Sequence, residues 1–377
     1  MNEKSGVLGG VNSAQLRQIN RRRTLNLLYR SPGLTNQEIA AALGLSLPTV
    51  TQVLRELSEH GLLSREKAGP SSGGRRPQLN VLRYDAKCAA GIEITRHHVS
   101  FALIDLACNV RFYRRLRRQF EPGDAYARGL SEDLAAFLGE NGVERETLLG
   151  LGLALPGIMQ GETLAYAPTL GVRGMPVEIV TRFLPLPAQT GNEANLAGYA
   201  EIWGIERLRD AVYLSVNKGV GGAILIGGAV YDGAGGRAGE FGHMTIVKNG
   251  RRCSCGKKGC FEAYCSTTRL TRAEFDDLDS FFATLRRGDA CCEERFEAYL
   301  DDLATGINGI RAVLDADVIL GGELGQQMEP YLGRLREKLG GKNSFGEAGD
   351  YLSVSRFGGK AACIGAALLP VDRFLSF

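Results

Sequence analysis

The first apolar pattern in the chain has the period of a helix. Between residues 13 and 29, apolar side chains fall near intervals of three and four, with three consecutive arginines on the outside. The apolar positions are Leu16, Ile19, Leu27 and Leu28, and the arginines are Arg21, Arg22 and Arg23. Ser31-Pro32-Gly33 breaks the pattern, so we predict that this helix ends just before it.

Two further helices are predicted because each follows a residue that can cap a helix N-terminus. Thr35, with Glu38 three residues later, has the pattern of a capping box, and Gly44 ends that helix. Ser46 caps the next helix, at about 47–60. Its apolar stripe is Val50, Val53, Leu54 and Leu57.

The spacing Ala40-x-x-x-Gly44-x-Ser46 is typical of a helix-turn-helix. The close contact between the helices needs a small residue, and the tight turn needs glycine's freedom at positive φ. Residues 62–67 and 78–83 are predicted to form two short strands around a tip rich in glycine and proline, which would be a wing. The alternative is a small helical cap with a solvated polar face.

Beyond about residue 85 the pattern changes to that of an α/β body. The predicted strands are 89–95, 99–106, 149–155, 211–216, 222–226 and 318–320, with helices at about 194–202 and 294–314. Glycines cluster where these strands end, which is where α/β proteins bind ligands. The arginine-rich run 114–118 is predicted to be a solvated edge strand or loop.

Charge is distributed unevenly within a net charge of +3. Residues 1–85 contain 12 Lys and Arg against 6 Asp and Glu, and the remainder contains 33 against 36. This asymmetry indicates a polyanionic partner for the first segment, and double-stranded DNA is the partner we expect. No stretch has the roughly 18 apolar residues of a membrane helix, and residues 1–10 lack a secretory signal's apolar core, so we expect a cytoplasmic protein.

The polar face of the third helix would enter the major groove of DNA. Gln52 can make a bidentate contact to adenine, and Arg55 can reach guanine or phosphate. The two arginines of the wing tip can enter a narrow minor groove, unless the tip is only a soluble linker. The candidate DNA contacts are Thr49, Thr51, Gln52, Arg55, Arg75 and Arg76.

The spacing His243-x9-Cys253-x-Cys255-x4-Cys260 predicts a metal centre among the chain's nine cysteines and four histidines. Three thiolates and one imidazole make a closed tetrahedral zinc site with no vacant position for a catalytic water, so we expect one structural zinc per chain. The alternative is a set of unrelated buried cysteines. Glu240 and Glu262 flank the cluster, and carboxylates accept hydrogen bonds from adjacent hydroxyls, which suits a sugar.

These motifs resemble those of the ROK family (repressors, open reading frames and kinases), and in particular its regulators. The resemblance covers nearly the whole chain. It is carried by residues 239–243 (GEFGH), the run 253–262 (CSCGKKGCFE) and Asn192-Glu193-Ala194-Asn195, with support from the glycine pairs at 221–222 and 321–322.

The resemblance implies an N-terminal winged helix-turn-helix joined to an actin-like, hexokinase-like two-lobed domain with a sugar in its cleft. Residues 1–85 would form the DNA-binding domain, 86–188 the first lobe, completed by a C-terminal helix at about 361–377, and 189–360 the second lobe. The implied sugar contacts are Asn192, Glu193, Glu240, His243 and Glu262. His243 would bind zinc through one ring nitrogen and face the sugar with the other.

Two departures from the family's kinases predict that the chain is not an enzyme. Those kinases carry Asp-x-Gly-Gly-Thr where this chain has Glu93-Ile94-Thr95-Arg96-His97, so side chains would crowd the phosphates of ATP. Their catalytic aspartate in Asn-Asp-Ala-Asn is Glu193 here, one methylene longer, and a displacement of about 1 Å can reduce a rate on the order of 100-fold. The later loop also differs, with Asn217-Lys218 where kinases usually have Gly-Thr.

Three functions are therefore weighed. The first is a sugar-responsive repressor that binds an operator as a homodimer or homotetramer. The second is an ATP-dependent sugar kinase that also binds DNA, and the third is a regulator released by a protein of a sugar-transport system. The residues leave the sugar, the operator and the direction of the response open.

Overall fold

The computed structural model describes residues 13–67, 77–272, 274–342, 346 and 348–375. The chain begins with three helices and a two-stranded antiparallel sheet, which we call the N-terminal head (residues 13–82). Its elements are α1 (Ser13–Arg30), α2 (Asn36–Leu43), α3 (Leu47–Glu59), β1 (Leu63–Lys67) and β2 (Gln78–Leu82). The predicted winged helix-turn-helix arrangement of elements is confirmed. Arg75 and Arg76 lie outside the described residues.

The caps predicted for α2 and α3 are formed. Thr35 and Glu38 make both bonds of the capping box, and Gly44 ends α2 in the left-handed conformation, with φ of 65°. The Ser46 hydroxyl accepts a hydrogen bond from the amide of Thr49 at the start of α3. The apolar stripe of α3 is buried, as its spacing predicts.

The apolar face predicted for α1 is only partly correct. Leu16 and Ile19 are 49% and 44% exposed, whereas the buried residues of the helix are Thr24, Leu25 and Leu28. The first turns of α1 are exposed and only its second half packs against the other helices and the body.

The body contains two five-stranded sheets. The first has the order β10-β6-β3-β4-β5, in which β10, β6 and β3 are parallel and β4 and β5 are antiparallel. Its strands are β3 (Cys88–Ile94), β4 (His98–Asp105), β5 (Val110–Arg117), β6 (Leu148–Leu155) and β10 (Ala188–Asn192). The arginine-rich run predicted as an edge strand or loop forms the second half of the edge strand β5. A smaller sheet consists of β7 (Ile158–Gln160), β8 (Thr163–Ala167) and β9 (Val172–Pro176), and the helices here are α4 (Asp124–Glu140) and α5 (Glu178–Thr181).

The second sheet repeats this plan with the order β13-β12-β11-β14-β15, in which β11, β14 and β15 are parallel. Its strands are β11 (Ala211–Val216), β12 (Val220–Ile226), β13 (Ala229–Val230), β14 (Asp317–Gly321) and β15 (Leu352–Val354). The helices of this half are α7 (Glu262–Cys265), α8 (Thr268–Thr271), α9 (Leu278–Leu285), α10 (Ala290–Leu314), α11 (Gly322–Met328) and α12 (Leu332–Gly340). Two similar sheets on one chain agree with the two-lobed fold that the resemblance implies.

Two helices join these parts. α6 (Glu193–Ile202) and α13 (Ala361–Leu375) form a core of small side chains with residues of both sheets. At Gly365 of α13, a Cβ would overlap the carbonyl oxygen of Leu196 in α6, so the two helices meet backbone to backbone. A separate hydrophobic core includes Leu25 and Leu28 of α1 together with α13, so apolar packing continues from the N-terminal head into the body.

None of the helices in the described part of the chain has the length and apolar character needed to span a lipid bilayer.

Candidate functional site

The four predicted metal ligands meet in space. The ligand atoms of His243, Cys253, Cys255 and Cys260 all lie within 4.8 Å of one another. The sulfurs of Cys255 and Cys260 are 3.7 Å apart, and the sulfur of Cys253 is 3.9 Å from Nδ1 of His243. Tetrahedral bonds of about 2.3 Å place two sulfurs about 3.8 Å apart, so the spacing fits a zinc ion better than a disulfide.

The thiols of this cluster have opposite electrostatic surroundings. Burial raises the pKa of Cys260 to about 12, whereas a hydrogen bond from the backbone amide of Lys257 lowers the pKa of the exposed Cys255. A buried thiolate at position 260 therefore needs a neighbouring positive charge, which a bound cation would supply. The donor set and its spacing fit a metal ion of the zinc type.

The predicted sugar ligands Glu240 and Glu262 both adjoin the metal cluster. Nε2 of His243 lies 4.0 Å from Oε2 of Glu240, on the side of the ring away from Cys253. Glu262 accepts a hydrogen bond from the Ser254 hydroxyl at 2.8 Å and another from the amide of Val220 at 3.1 Å. Glu262 is thus tied to the cysteine run and to the start of β12, and Glu240 lies next to the imidazole of His243.

Asn192 and Glu193 lie at the start of α6. The side-chain oxygen of Asn192 accepts hydrogen bonds from the amides of Ala194 and Asn195, and its nitrogen donates to the carbonyl of Gly157 at 2.7 Å. Asn192 is therefore the N-cap of α6 and connects this helix to the loop after β6.

Two carboxylates, Glu93 and Glu193, lie close enough to influence each other near the start of α6. Burial raises the pKa of each to about 7, and for Glu193 the neighbouring Glu93 contributes to the shift. Glu93 bonds the hydroxyl of Ser100, and across β6 it lies in the same row of the sheet as Gly191, two residues before Glu193. Two carboxylates in one buried place disfavour the ionisation of both at once.

The turn between β3 and β4 is closed by its own side chains. Thr95 and His98 exchange three hydrogen bonds, which occupy both of their backbone amides. Arg96 donates to the carbonyl of Thr169. These contacts leave this turn unlike an open cradle of backbone amides for phosphate.

The loop between β11 and β12 is also filled. The side-chain oxygen of Asn217 accepts a hydrogen bond of 2.7 Å from the amide of Glu323, in the first turn of α11. Beside it lies a cavity of about 290 Å³ whose charged lining residues are Lys218, Asp276, Asp277, Asp279 and Glu323. One lysine against four carboxylates does not suit a polyanionic ligand.

On the third helix, the side chains of Thr51, Gln52 and Arg55 are exposed. Gln52 donates to Glu56 at 3.3 Å, and Arg55 pairs with Glu59 at 2.8 Å. Thr49 differs, because its partly buried hydroxyl lies 2.8 Å from that of Ser46 at the cap. Three of the four predicted contacts on α3 are therefore available on one face, and Thr49 belongs to the start of the helix.

Sequence reasoning missed two residues that hold the site in place. Ser254 orients Glu262, and its position inside the cysteine run was the available signal. Asn217 caps α11, which lies 106 residues away in the chain, so no local pattern could reveal the contact.

Two family models match this chain. Residues 89–373 match the model of the ROK family, which is most of the chain. The chain belongs to the ROK family. In front of its ROK domain, residues 17–64 match a winged helix-turn-helix DNA-binding model.

The curated and solved relatives include both branches of the ROK family. The chain is 25% identical to the xylose repressor of Caldicellulosiruptor bescii, covering 97% of this chain and 98% of that protein. A ROK family transcriptional regulator, a homologue of the E. coli MLC protein, superposes with a TM-score of 0.77 at 19% identity over 96% of each chain. The ROK hexokinase of Thermus thermophilus gives 0.63 at 26% identity over 74% of this chain and 97% of its own.

Proposed function

We propose that this ROK protein is a sugar-responsive transcriptional repressor. The N-terminal head binds operator DNA through Thr51, Gln52 and Arg55, helped by Thr49 and by the wing arginines Arg75 and Arg76. A sugar binds in the cleft through Glu240, His243 and Glu262, with Asn192 and Glu193 at the opposite side. The name of the full-length relative, a xylose repressor, supports this assignment and makes D-xylose the first sugar to test.

The observation that carries the proposal is the position of His243. One ring nitrogen faces the cysteine cluster and the other faces Glu240. We propose that His243, Cys253, Cys255 and Cys260 hold one structural zinc per chain, and that the metal fixes the tautomer and orientation of the imidazole so that its second nitrogen meets a sugar hydroxyl.

The turn between β3 and β4 and the loop between β11 and β12 favour regulation over phosphoryl transfer. The turn at Thr95 is closed by its own side chains, Asn217 occupies the start of α11, and the adjacent cavity is acidic. A triphosphate would meet carboxylates where it needs amide donors and cations. The kinase alternative predicts ATP turnover above about 1 s⁻¹ with a sugar substrate, which a coupled assay would detect.

The sugar assignment is tested by thermal shift and by DNA binding. Purified full-length protein is screened against D-xylose, D-glucose, N-acetylglucosamine and their phosphates, and each hit is tested for its effect on binding to the protein's own upstream DNA. We expect at least one sugar to raise the melting temperature and to change the DNA affinity. Glu240→Ala is expected to remove the response, whereas Glu144→Ala, an exposed glutamate outside the cleft, keeps it.

The same screen separates the third function. A protein released by a sugar-transport partner would show no thermal shift with any of these sugars while it still binds its upstream DNA. Sedimentation of the protein–DNA complex tests the proposed homodimer or homotetramer, because paired half-sites need at least two heads.

A further inference from the structure

α6 connects the proposed sugar cleft to the N-terminal head. Its N-cap Asn192 and its first residue Glu193 are proposed sugar contacts, and Asn192 also holds the loop after β6. Its ten residues span about 15 Å, and the helix ends next to Trp203, the only tryptophan in the chain. Opposite ends of one rigid element thus lie at the two sites that a sugar-responsive repressor must couple.

The far end of α6 touches the head through one hydrogen bond and a group of aromatic rings. Nε1 of Trp203 donates to the hydroxyl of Tyr29 in α1 at 2.8 Å. The ring of Tyr29 also makes edge contacts with Trp203 and Tyr84, and Tyr199 makes one with Trp203. Burial raises the pKa of Tyr29 to about 12, so its hydroxyl stays neutral at physiological pH.

The end of α6 is itself firmly held. The guanidinium of Arg356 donates to the carbonyls of Ala200 and Trp203, which closes the helix C-terminus. The carboxylate of Glu201, only 2% exposed, accepts hydrogen bonds from the Ser355 hydroxyl and from the amides of Arg356 and Phe357. Since α13 also contacts α6 backbone to backbone at Gly365, α6 can move only together with these elements.

We propose that α6 positions the N-terminal head according to the state of the cleft, and that Tyr29 and Trp203 are the positioning residues of this coupling. The inference rests on the proposed function, since it names how the sugar response reaches DNA. A sugar that prefers one position of Asn192 and Glu193 shifts α6, and the Trp203–Tyr29 hydrogen bond transfers the shift to α1. The coupling is limited to the difference in sugar affinity between the two positions of α6.

The first test is the full-length variant Tyr29→Phe, which keeps the ring and loses the hydroxyl that accepts from Trp203. The quantity measured is the ratio of Kd values for the upstream DNA with and without saturating D-xylose. Loss of one hydrogen bond is expected to reduce this ratio about 3- to 10-fold while the affinity for D-xylose stays unchanged. Tyr299→Phe, which loses a hydroxyl bonded to the carbonyl of Cys265 in a different hydrophobic core from that of α1, keeps the wild-type ratio.

The second test needs no sugar, so it remains decisive if D-xylose has no effect on the wild type and the proposed function fails. Asn192→Ala removes the cap at the cleft end of α6, and hydrogen exchange of residues 24–30 in α1 is compared with wild type. We expect exchange there to increase several-fold. Asp289→Ala, which removes the cap of α10, leaves it unchanged.

Either result can overturn the proposal. If folded Tyr29→Phe keeps the ratio of a wild type that responds to D-xylose, or if α1 exchanges in Asn192→Ala as in wild type, α6 does not position the head. Far-ultraviolet circular dichroism and a cooperative melting transition establish that each variant is folded.

Discussion

Two of the proposed sugar contacts in this ROK protein also hold the backbone in place. Asn192 caps α6 and reaches the carbonyl of Gly157, and Glu262 joins Ser254 to the amide of Val220. Each still has hydrogen-bonding capacity left, because one N–H of Asn192 and one lone pair on Oε2 of Glu262 remain. Substituting either residue therefore changes loop positions as well as any contact to a sugar, which is why Glu240 is the better probe of sugar binding.

At Gly365, the smallest side chain is required. Gly365→Ala is expected to destabilise the protein by about 2 kcal/mol or more, since the new methyl group forces α13 away from the carbonyl of Leu196. Gly333→Ala is the matched control, because a Cβ on this exposed helical glycine meets nothing within 4 Å and alanine gains up to about 1 kcal/mol of helix propensity. Urea unfolding of both variants measures the difference, and equal effects would contradict the proposed contact.

The paired carboxylates predict a pH-dependent stability. The folded-state pKa of Glu193, about 7, lies above its ordinary value of 4.5, so the folded state holds the proton more tightly and stability falls as pH rises from about 4.5 to 7. Glu193→Gln is therefore expected to be about 1–3 kcal/mol more stable than wild type at pH 8 and to lose most of this advantage near pH 4.5. Melting curves measured across this pH range test the prediction. A stability difference between Glu193→Gln and wild type that does not change with pH would show that ionisation of Glu193 is not the cause.

At the scale of elements, the segment from Glu240 to Glu262 has little regular structure. It contains only a single short turn of 3-10 helix at Phe241–His243 before α7 begins. One isolated bridge, Thr245 to Cys260, lies near its ends, and another, Arg252 to Lys258, lies in the loop between them. Backbone hydrogen bonds of turns and loops, such as that from the amide of Cys253 to the carbonyl of Lys257, shape this segment, and the proposed metal would add bonds between its loops.

Removal of zinc is therefore expected to lower stability by several kcal/mol. Cys260→Ala should purify without zinc and melt below wild type, whereas Cys291→Ala, an exposed cysteine outside the cluster, retains one zinc per chain. Elemental analysis and melting curves measure both quantities. Full zinc content in Cys260→Ala would exclude Cys260 as a ligand.

On α3, Arg55 provides the corresponding test of DNA binding. Arg55→Ala is expected to weaken binding to upstream DNA by about 1–3 kcal/mol if it reads a base, and to reduce the salt dependence by about one phosphate contact if it binds the backbone. Arg287→Ala, an exposed arginine at the end of α9 in the body, should bind as wild type. Electrophoretic mobility shifts at several salt concentrations distinguish these outcomes, and wild-type binding by Arg55→Ala would remove this residue from the interface.

A feature of this structure could be predicted from the sequence where the residues that produce it are close together in the chain. The caps at Thr35 and Ser46 and the cysteine cluster are local patterns, and the structure contains them as predicted. The misassigned face of α1 has a different origin, because periodicity cannot tell which turns of a helix a neighbour covers. The contact between Trp203 and Tyr29 joins residues that are 174 positions apart, and no sequence pattern near either residue predicts it.

At the scale of the whole molecule, the N-terminal head and the body share a hydrophobic core. The buried residues of α1, α2 and α3 belong to the same cluster as Ala102, Ile104 and much of α13. The domain boundary near residue 85 stays a prediction, and the packing across it indicates that the head is not loosely tethered.

Because the core is shared, a destabilising substitution inside the head is expected to affect the contact between Trp203 and α1 as well. Leu57→Ala, in the buried stripe of α3, is expected to cost about 2–5 kcal/mol and to lower the temperature at which the fluorescence of Trp203 changes. A head that unfolds independently would instead leave the Trp203 transition at its wild-type temperature.

The intrahelical pairs on α3 have a consequence for how the protein scans a chromosome. Glu56 accepts a hydrogen bond from Gln52, and Glu59 pairs with Arg55. The negative charges of both glutamates would repel the phosphates of DNA. If Gln52 and Arg55 contact DNA as proposed, each has to exchange its glutamate partner for a base or a phosphate. A site whose base edges replace these partners would then hold the protein longer than random sequence does.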